Sequence, residues 1–170
     1  MAASRPQAIH TASKSNATVD AGKLRENLFL LCKADSRHFA LPVESVIETL
    51  RNLACETLAD APSFVLGLCV VRGEPVVVID SGALFGEPPV MRNRLVMVRV
   101  GNRAIALTVD AIVGVRAVSA QSWAALPPLS GASDSINAIT MLDQELVFLM
   151  QGARVIPEDV LDSIEAAGRK

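Results

Sequence analysis

An internal repeat is the feature of this sequence that most constrains its fold. Residues 39–47 align with residues 105–113 at an offset of 66, and the alignment matches Glu44 with Asp110. Residues 76–79 align with residues 146–149 at an offset of 70. A single unit of about 65 residues would bury only a marginal core, so we expect two similar halves packed into one body. The alternative is that Val-rich strands resemble one another by chance.

Short apolar segments joined by turn residues fill each half. Gly101-Asn102 separates residues 94–100 from residues 103–109, which is a strong signal for a two-residue hairpin turn. Further turns are expected at Ala34-Asp35-Ser36, at Gly73 and at Asp143-Gln144. Five short strands per half suit a small closed barrel, because closure leaves no exposed sheet edge. We therefore predict a mainly all-β fold of two five-stranded β-barrel subdomains with short helices.

The domain organisation follows from shifts in composition. Residues 1–27 carry few large apolar side chains and are predicted to be a disordered N-terminal tail, with a transit peptide as the alternative. Residues 28–157 form the domain, divided into subdomains at roughly 28–90 and 91–157, and residues 158–170 form a C-terminal helix and tail. Helices are expected at residues 80–85 and 157–167, since Pro157 suits a first helical turn.

Composition excludes several classes of protein. The chain is 51% hydrophobic with a net charge of −2, and its 16 Lys and Arg residues against 18 Asp and Glu residues leave no positive excess for a nucleic-acid role. Its apolar run at residues 61–71 is too short to span a membrane. Three cysteines without a C-x-x-C motif favour a reducing compartment, and two histidines offer almost no material for a metal site. We therefore expect no cofactor, no metal and no catalytic residue.

One motif nevertheless resembles a catalytic one. Asp80-Ser81-Gly82 follows an apolar strand, as the corresponding triplet does in aspartic proteases, whose mechanism needs two carboxylates sharing a proton. The second half has Met150-Gln151-Gly152 at the matching place, so only a homodimer could supply the second carboxylate. The alternative, which we favour, is that Asp80 caps a short helix ending near Gly86.

Two charged residues stand within apolar, strand-like stretches of the first half. Glu48 and Arg72 are either strand ends in water or a paired, partly exposed polar spot on a binding face. Trp123 is either an interface anchor or, more simply, packs a loop onto its own core. Glu44 and Asp110 are interpreted as acids at turns after strands, and His38 as a strand residue. The basic residues expected to form a solvated face are Arg92, Arg94, Arg99 and Arg103.

Taken in order, these segments resemble the CheW-like domain family of bacterial chemosensory systems. The likeness is carried by residues 39–48, 61–68, 71–73, 76–80 and 84–86 in the first half, and by residues 107–110, 113–115 and 122–127 in the second. It covers about residues 28–157. The motifs are individually weak, and their order and spacing make them fairly specific. Val70 departs from the pattern, because the family usually has Asn there.

The resemblance implies two five-stranded SH3-like barrels and a non-enzymatic, cytoplasmic adaptor. Such adaptors couple methyl-accepting chemoreceptors to a CheA-type histidine kinase by binding the kinase's regulatory domain and the receptor's cytoplasmic tip. Glu48 and Arg72 would lie near these partner-facing surfaces, and Leu66, Leu68 and Val70 would help to line them. A homodimeric aspartic protease and a self-assembling structural module are the alternative functions.

Overall fold

The computed structural model describes residues 28–126 and 134–168, which form two β-sheets and a helix. Sheet 1 contains β3 (Val46–Arg51), β4 (Cys55–Glu56), β5 (Val65–Val71), β6 (Glu74–Asp80), β7 (Arg94–Val100) and β8 (Arg103–Val109). Sheet 2 contains β1 (Leu28–Ala34), β2 (Arg37–Pro42), β9 (Ala111–Ala117), β10 (Ala124–Ala125), β11 (Ile136–Leu142) and β12 (Glu145–Met150). Helix α1 (Glu158–Gly168) follows, and short 3-10 turns lie at Val43–Ser45, Ala83–Phe85, Ala120–Ser122 and Gly152–Arg154. The predicted N-terminal tail falls outside the described residues.

The two sheets share one strand order. Sheet 1 runs β3-β7-β8-β6-β5-β4, and sheet 2 runs β9-β1-β2-β12-β11-β10. In each sheet the third and fourth strands are parallel. Each sheet has five long strands and one of two residues, which confirms the predicted mainly β fold of two SH3-like subdomains. The two end strands of each sheet do not pair among the described residues, so the expected barrel closure is absent, because a two-residue end strand offers few backbone groups to seal it.

The chain exchanges hairpins between the sheets. The hairpin β1–β2 belongs to the N-terminal half and joins sheet 2, whereas the hairpin β7–β8 joins sheet 1. The two copies of the repeated segment make the crossings, one from β2 to β3 and the other from β8 to β9. The predicted division of the domain into residues 28–90 and 91–157 stays a prediction. The chain changes sheets after β2 and again after β8, so neither sheet consists of one continuous half of the sequence.

The repeat extends to the irregularities of the strands. Ile47 is an extra residue in the pairing of β3 with β7, and its counterpart Val113 is an extra residue in the pairing of β9 with β1. Leu66 in β5 and Asn137 in β11 form a second matched pair of bulges. A β-bulge redirects side chains and is a specific feature of a fold. Two bulges in one half have counterparts at the matching positions of the other half, which supports duplication over chance similarity.

The register corrects one of the two sequence alignments. Val77 of β6 pairs with Ile105, and Phe148 of β12 pairs with Phe39, which is the counterpart of Ile105 in the repeat. Val77 therefore corresponds to Phe148, an offset of 71, and the alignment at 70 was wrong by one residue. A shift of one residue turns every side chain to the opposite face. The error was hard to see because strands with apolar side chains on both faces lack an alternating pattern.

The main core lies between the two sheets. Phe39 and Leu41 of sheet 2 share one apolar cluster with Ile105 and Leu107 of sheet 1, and Leu161 of α1 joins it. A smaller cluster, which we call the sheet 1 cluster, contains Cys69, Val71, Val76, Val78, Leu95, Met97 and Ala106. Sheet 2 has its own equivalent, built on Phe29, Leu31, Ala40, Val118 and Val147.

The turns of the hairpins and the C-terminal helix are where the sequence predicted them. Two-residue turns lie at Asp35-Ser36, Arg72-Gly73, Gly101-Asn102 and Asp143-Gln144, as the strand registers require. The helix predicted at residues 157–167 is confirmed as α1. The helix expected at residues 80–85 is only the 3-10 turn Ala83–Phe85, which ends at Gly86 with a φ of 88°.

Candidate functional site

Glu48 and Arg72 form an ion pair at the surface of sheet 1. Glu48 lies on β3, the end strand of the sheet, and Arg72 is the first residue of the turn between β5 and β6. The Arg72 Nη2 atom lies 2.8 Å from the Glu48 Oε2 atom, and the two side chains are 79% and 23% exposed. The paired, partly exposed arrangement considered from the sequence is thus the one that the fold adopts.

Backbone geometry holds Arg72 in this exposed place. Its φ is 52°, in the left-handed region, and Gly73 follows with a φ of 87°. Two left-handed residues form the hairpin turn whose twist matches the flanking strands. The left-handed conformation costs a residue with a side chain about 1–2 kcal/mol, which Gly or Asn at position 72 would reduce. The turn therefore keeps an arginine at some expense in stability.

The apolar residues predicted to line the same surface do not share one face of β5. Leu66 is the bulged residue and packs, partly buried, against the sheet 1 cluster. Leu68 is also partly buried and packs against the main core. Val70 is 68% exposed and lies opposite Pro75 on β6. Of the three, Val70 is the side chain that a partner could contact most fully in this conformation.

A buried polar cluster joins the ends of β6 and β8. Asp80 is fully buried, and its Oδ1 atom lies 2.6 Å from the Arg92 Nε atom. The Arg92 Nη1 atom lies 2.5 Å from the Asp110 Oδ2 atom. Burial lowers the pKa of Arg92, but the hydrogen bonds and charges of Asp80 and Asp110 outweigh burial and raise that pKa above its ordinary value. The prediction that Arg92 belongs to a solvated face was therefore wrong.

The remaining contacts of Asp80 come from its own connection and from β8. Oδ1 also accepts hydrogen bonds from the Gly82 N–H at 3.1 Å and the Thr108 hydroxyl at 3.2 Å, and Oδ2 accepts one from the Val90 N–H at 2.8 Å. Gly82 rather than Asp80 is the N-cap of the 3-10 turn, and that turn has no side-chain cap. The capping role expected of Asp80 was wrong, because Arg92 draws its carboxylate inward.

This geometry does not suit an aspartic protease. Such an enzyme needs a solvent-facing carboxylate that shares a proton with a second one. Both oxygens of Asp80 are engaged inside the protein, and the nearest partner charge is a guanidinium. Ser81 is also buried, where its hydroxyl donates to the Thr108 carbonyl oxygen. The Asp80-Ser81-Gly82 triplet therefore stabilises the crossing between the sheets.

The other residues singled out from the sequence have ordinary structural surroundings. Trp123 is partly buried and meets the ring of Phe29 edge-on at 5.2 Å, which favours loop packing over an interface anchor. Arg103 lies 2.5 Å from Asp162 and thereby ties β8 to α1. Arg94 and Arg99 are exposed, as predicted, and His38 of β2 lies 3.2 Å from Glu145.

The described residues contain neither a metal-binding cluster nor a membrane-spanning helix. Within residues 28–126 and 134–168, no group of three or more His, Cys, Asp or Glu side chains could hold a metal ion. In the same part of the chain, no helix has the length and apolar character needed to cross a membrane.

Comparison with known proteins gave one family and one set of structural neighbours. The sequence model of the CheW-like domain family matches residues 28–160 of this chain. No curated protein sequence matches the chain. Among solved structures, the scaffolding protein TtCheW from Thermoanaerobacter tengcongensis is similar, with a TM-score of 0.66 and 19% sequence identity. The match covers 74% of this chain and 88% of that one.

Proposed function

The chain belongs to the CheW-like domain family of chemotaxis scaffold and adaptor proteins, and from that premise we propose that it couples methyl-accepting chemoreceptors to a CheA-type histidine kinase. In this proposal it acts in the cytoplasm, has no chemistry of its own, and reaches receptor arrays at the membrane through its partners. It binds the regulatory domain of the kinase and the cytoplasmic tip of the receptor.

The observation that carries the proposal is the Glu48–Arg72 pair. An exposed ion pair contributes only about 0–1 kcal/mol to folding, yet here the turn accepts an unfavourable backbone conformation to present Arg72. Arginine is enriched in the residues that dominate binding at protein interfaces. We assign the partner-binding role to Glu48 and Arg72, with Val70 as the exposed apolar residue on the same hairpin as Arg72. Leu66 and Leu68 are the partly buried residues of β5, and we assign them to the same surface.

Charge-reversal variants test this assignment. Arg72→Glu and Glu48→Arg should each weaken binding to the regulatory domain of a CheA-type kinase, measured by titration calorimetry, by about tenfold or more, since a dominant interface residue contributes at least 1–2 kcal/mol. Arg51→Glu is the matched control for Arg72→Glu, because Arg51 is exposed on β3, the strand of Glu48, and both substitutions lower the net charge by the same amount. We expect its binding to stay within about threefold of wild type.

Stability measurements on the same variants separate binding from folding. The melting temperatures of all three should lie within a few degrees of wild type, since surface substitutions cost about 0.5 kcal/mol. Wild-type affinity in both charge-reversal variants would refute the assignment, and so would loss of binding that merely follows loss of folding. Size-exclusion chromatography without the kinase addresses the self-assembling module, which would elute as an oligomer on its own.

A further inference from the structure

Cys55 and Cys69 lie directly opposite each other on neighbouring strands. Cys55 is the first residue of β4, Cys69 is near the end of β5, and the two are register partners in an antiparallel pair. The Cys55 thiol donates a hydrogen bond to the Leu53 carbonyl oxygen, with a sulfur–oxygen distance of 3.4 Å. Directly opposed residues in antiparallel strands have Cα atoms about 4.5–5.5 Å apart, and disulfides accept separations of about 4.4–6.8 Å. Both cysteines are reduced in this structure.

The surroundings of the pair favour closing this short gap. β4 has only two residues and is the end strand of sheet 1, so it can move slightly toward β5. The backbones of β4 and β5 already lie close together beside the cysteines. At Gly67 of β5, whose φ is 146°, a Cβ atom would overlap the backbone oxygen of Glu56 on β4. Cys32, the third cysteine, is fully buried and has Phe39 and Ile112 as its strand partners. Only one pairing of cysteines is therefore available within the chain.

We propose that Cys55 and Cys69 are a reversible redox site that takes a low-molecular-weight disulfide as its co-reactant. Cys55, the partly exposed thiol, attacks the small disulfide as a thiolate, forms a mixed disulfide and releases one small thiol. Cys69 then attacks the Cys55 sulfur and releases the second small thiol. The two protein thiols lose two electrons and two protons, and the small disulfide gains both as two free thiols. The product ties β4 to β5.

The rate should depend steeply on pH, because the thiolate is the attacking species. Burial, with a smaller contribution from the neighbouring Cys69, raises the pKa of Cys55 to about 11. Between pH 7.5 and 9.5 the thiolate fraction then rises about 100-fold, against about tenfold for an unperturbed thiol with a pKa near 8.5. The site is consequently slow at neutral pH, where it would respond to sustained rather than brief oxidation.

The test treats the full-length protein with oxidised glutathione at pH 7.5 and 9.5 and follows it by intact mass and peptide mapping. The expected product has two hydrogen atoms fewer than the reduced chain, joins the peptides containing Cys55 and Cys69, and is reversed by dithiothreitol. Its rate should rise about 100-fold between the two pH values. A protein that accumulates only glutathione adducts, forms dimers through Cys55, or stays unmodified at pH 9.5 would overturn the proposal.

Single variants check the order of the two steps. Cys69→Ala should stop at the mixed disulfide on Cys55, whereas Cys55→Ser should leave the buried Cys69 unmodified. Cys32→Ala is the control and should form the internal disulfide at the wild-type rate. Glutathione on Cys69 in the Cys55→Ser variant, at the rate seen for Cys55 in wild type, would contradict the assigned order.

Discussion

Removal of the Arg92 guanidinium should destabilise the protein strongly. The Arg92 side chain is 5% exposed and, within residues 28–126 and 134–168, is the one cationic partner of Asp80, which is fully buried. Breaking a buried ion pair by removing one member costs about 3–5 kcal/mol, because the other charge stays buried without compensation. Asp80 would keep its hydrogen bonds from Gly82, Val90 and Thr108. We therefore expect Arg92→Met to cost about 3 kcal/mol, the lower end of that range, or roughly a hundredfold in the folding equilibrium.

Urea unfolding followed by circular dichroism measures this loss. Arg94→Met is the matched control, because Arg94 is exposed, and it should cost no more than about 0.5 kcal/mol. The double variant Asp80→Asn with Arg92→Met removes both charges, keeps a side-chain oxygen as an acceptor and should recover part of the loss. A cost below about 1 kcal/mol for Arg92→Met, or one equal to that of Arg94→Met, would refute the claim that this pair stabilises the crossing between the sheets.

Three further outcomes follow from the structure. Gly67→Ala should lower the free energy of unfolding by at least about 1 kcal/mol more than Gly114→Ala does, as measured by paired urea titrations. Both glycines have a similar positive φ, but only at Gly67 would the new methyl group meet a backbone oxygen. By the same method, Leu161→Ala should lower the free energy of unfolding by about 2–5 kcal/mol, since Leu161 is buried in the main core. Asp162→Ala removes only a surface ion pair and should lower it by at most about 1 kcal/mol. Cys32 should resist iodoacetamide at pH 8 until the protein unfolds, because burial raises the pKa of its thiol to about 12, and rapid alkylation of the folded protein would contradict this.

The sequence predicted local structure well because local signals specify it. Turn residues such as Gly101-Asn102 determine hairpins within a few positions, and all four predicted turns are present, two of them with bounds shifted by one residue. The exchange of hairpins between the sheets was not predicted, because parallel pairing of β6 with β8 joins segments distant in sequence. The helix expected after Asp80 failed for a related reason: Arg92 competes for the carboxylate that would have capped it.

The candidate site shows the same division between local and distant information. Glu48 and Arg72 were recognised because charged residues interrupt apolar strands, and their contact depended on two elements that happen to meet. Arg92 was missed because the exposed residue Arg94, two positions away, is also an arginine, and no local sequence feature distinguishes the buried one from the exposed one. A usable signal was that Asp80 and Asp110 each follow an apolar strand. Two acids at the ends of adjacent strands need a cation, and Arg92 lies in the connection between β6 and β7.

The duplicated fold gives this protein two equivalent hairpin ends, and their charges differ. Arg72 in the turn of sheet 1 corresponds to Asp143 in the turn of sheet 2, where Asp143 lies 3.0 Å from Arg116 on β9. Arg72 instead faces the acidic Glu48 on β3. The exposed turn residue is therefore cationic at one end and anionic at the other. At each end the opposite charge comes from an end strand of the sheet, so an ion pair between turn and end strand recurs with its signs exchanged. The arrangement of charges therefore distinguishes two hairpin ends that the duplicated fold makes equivalent.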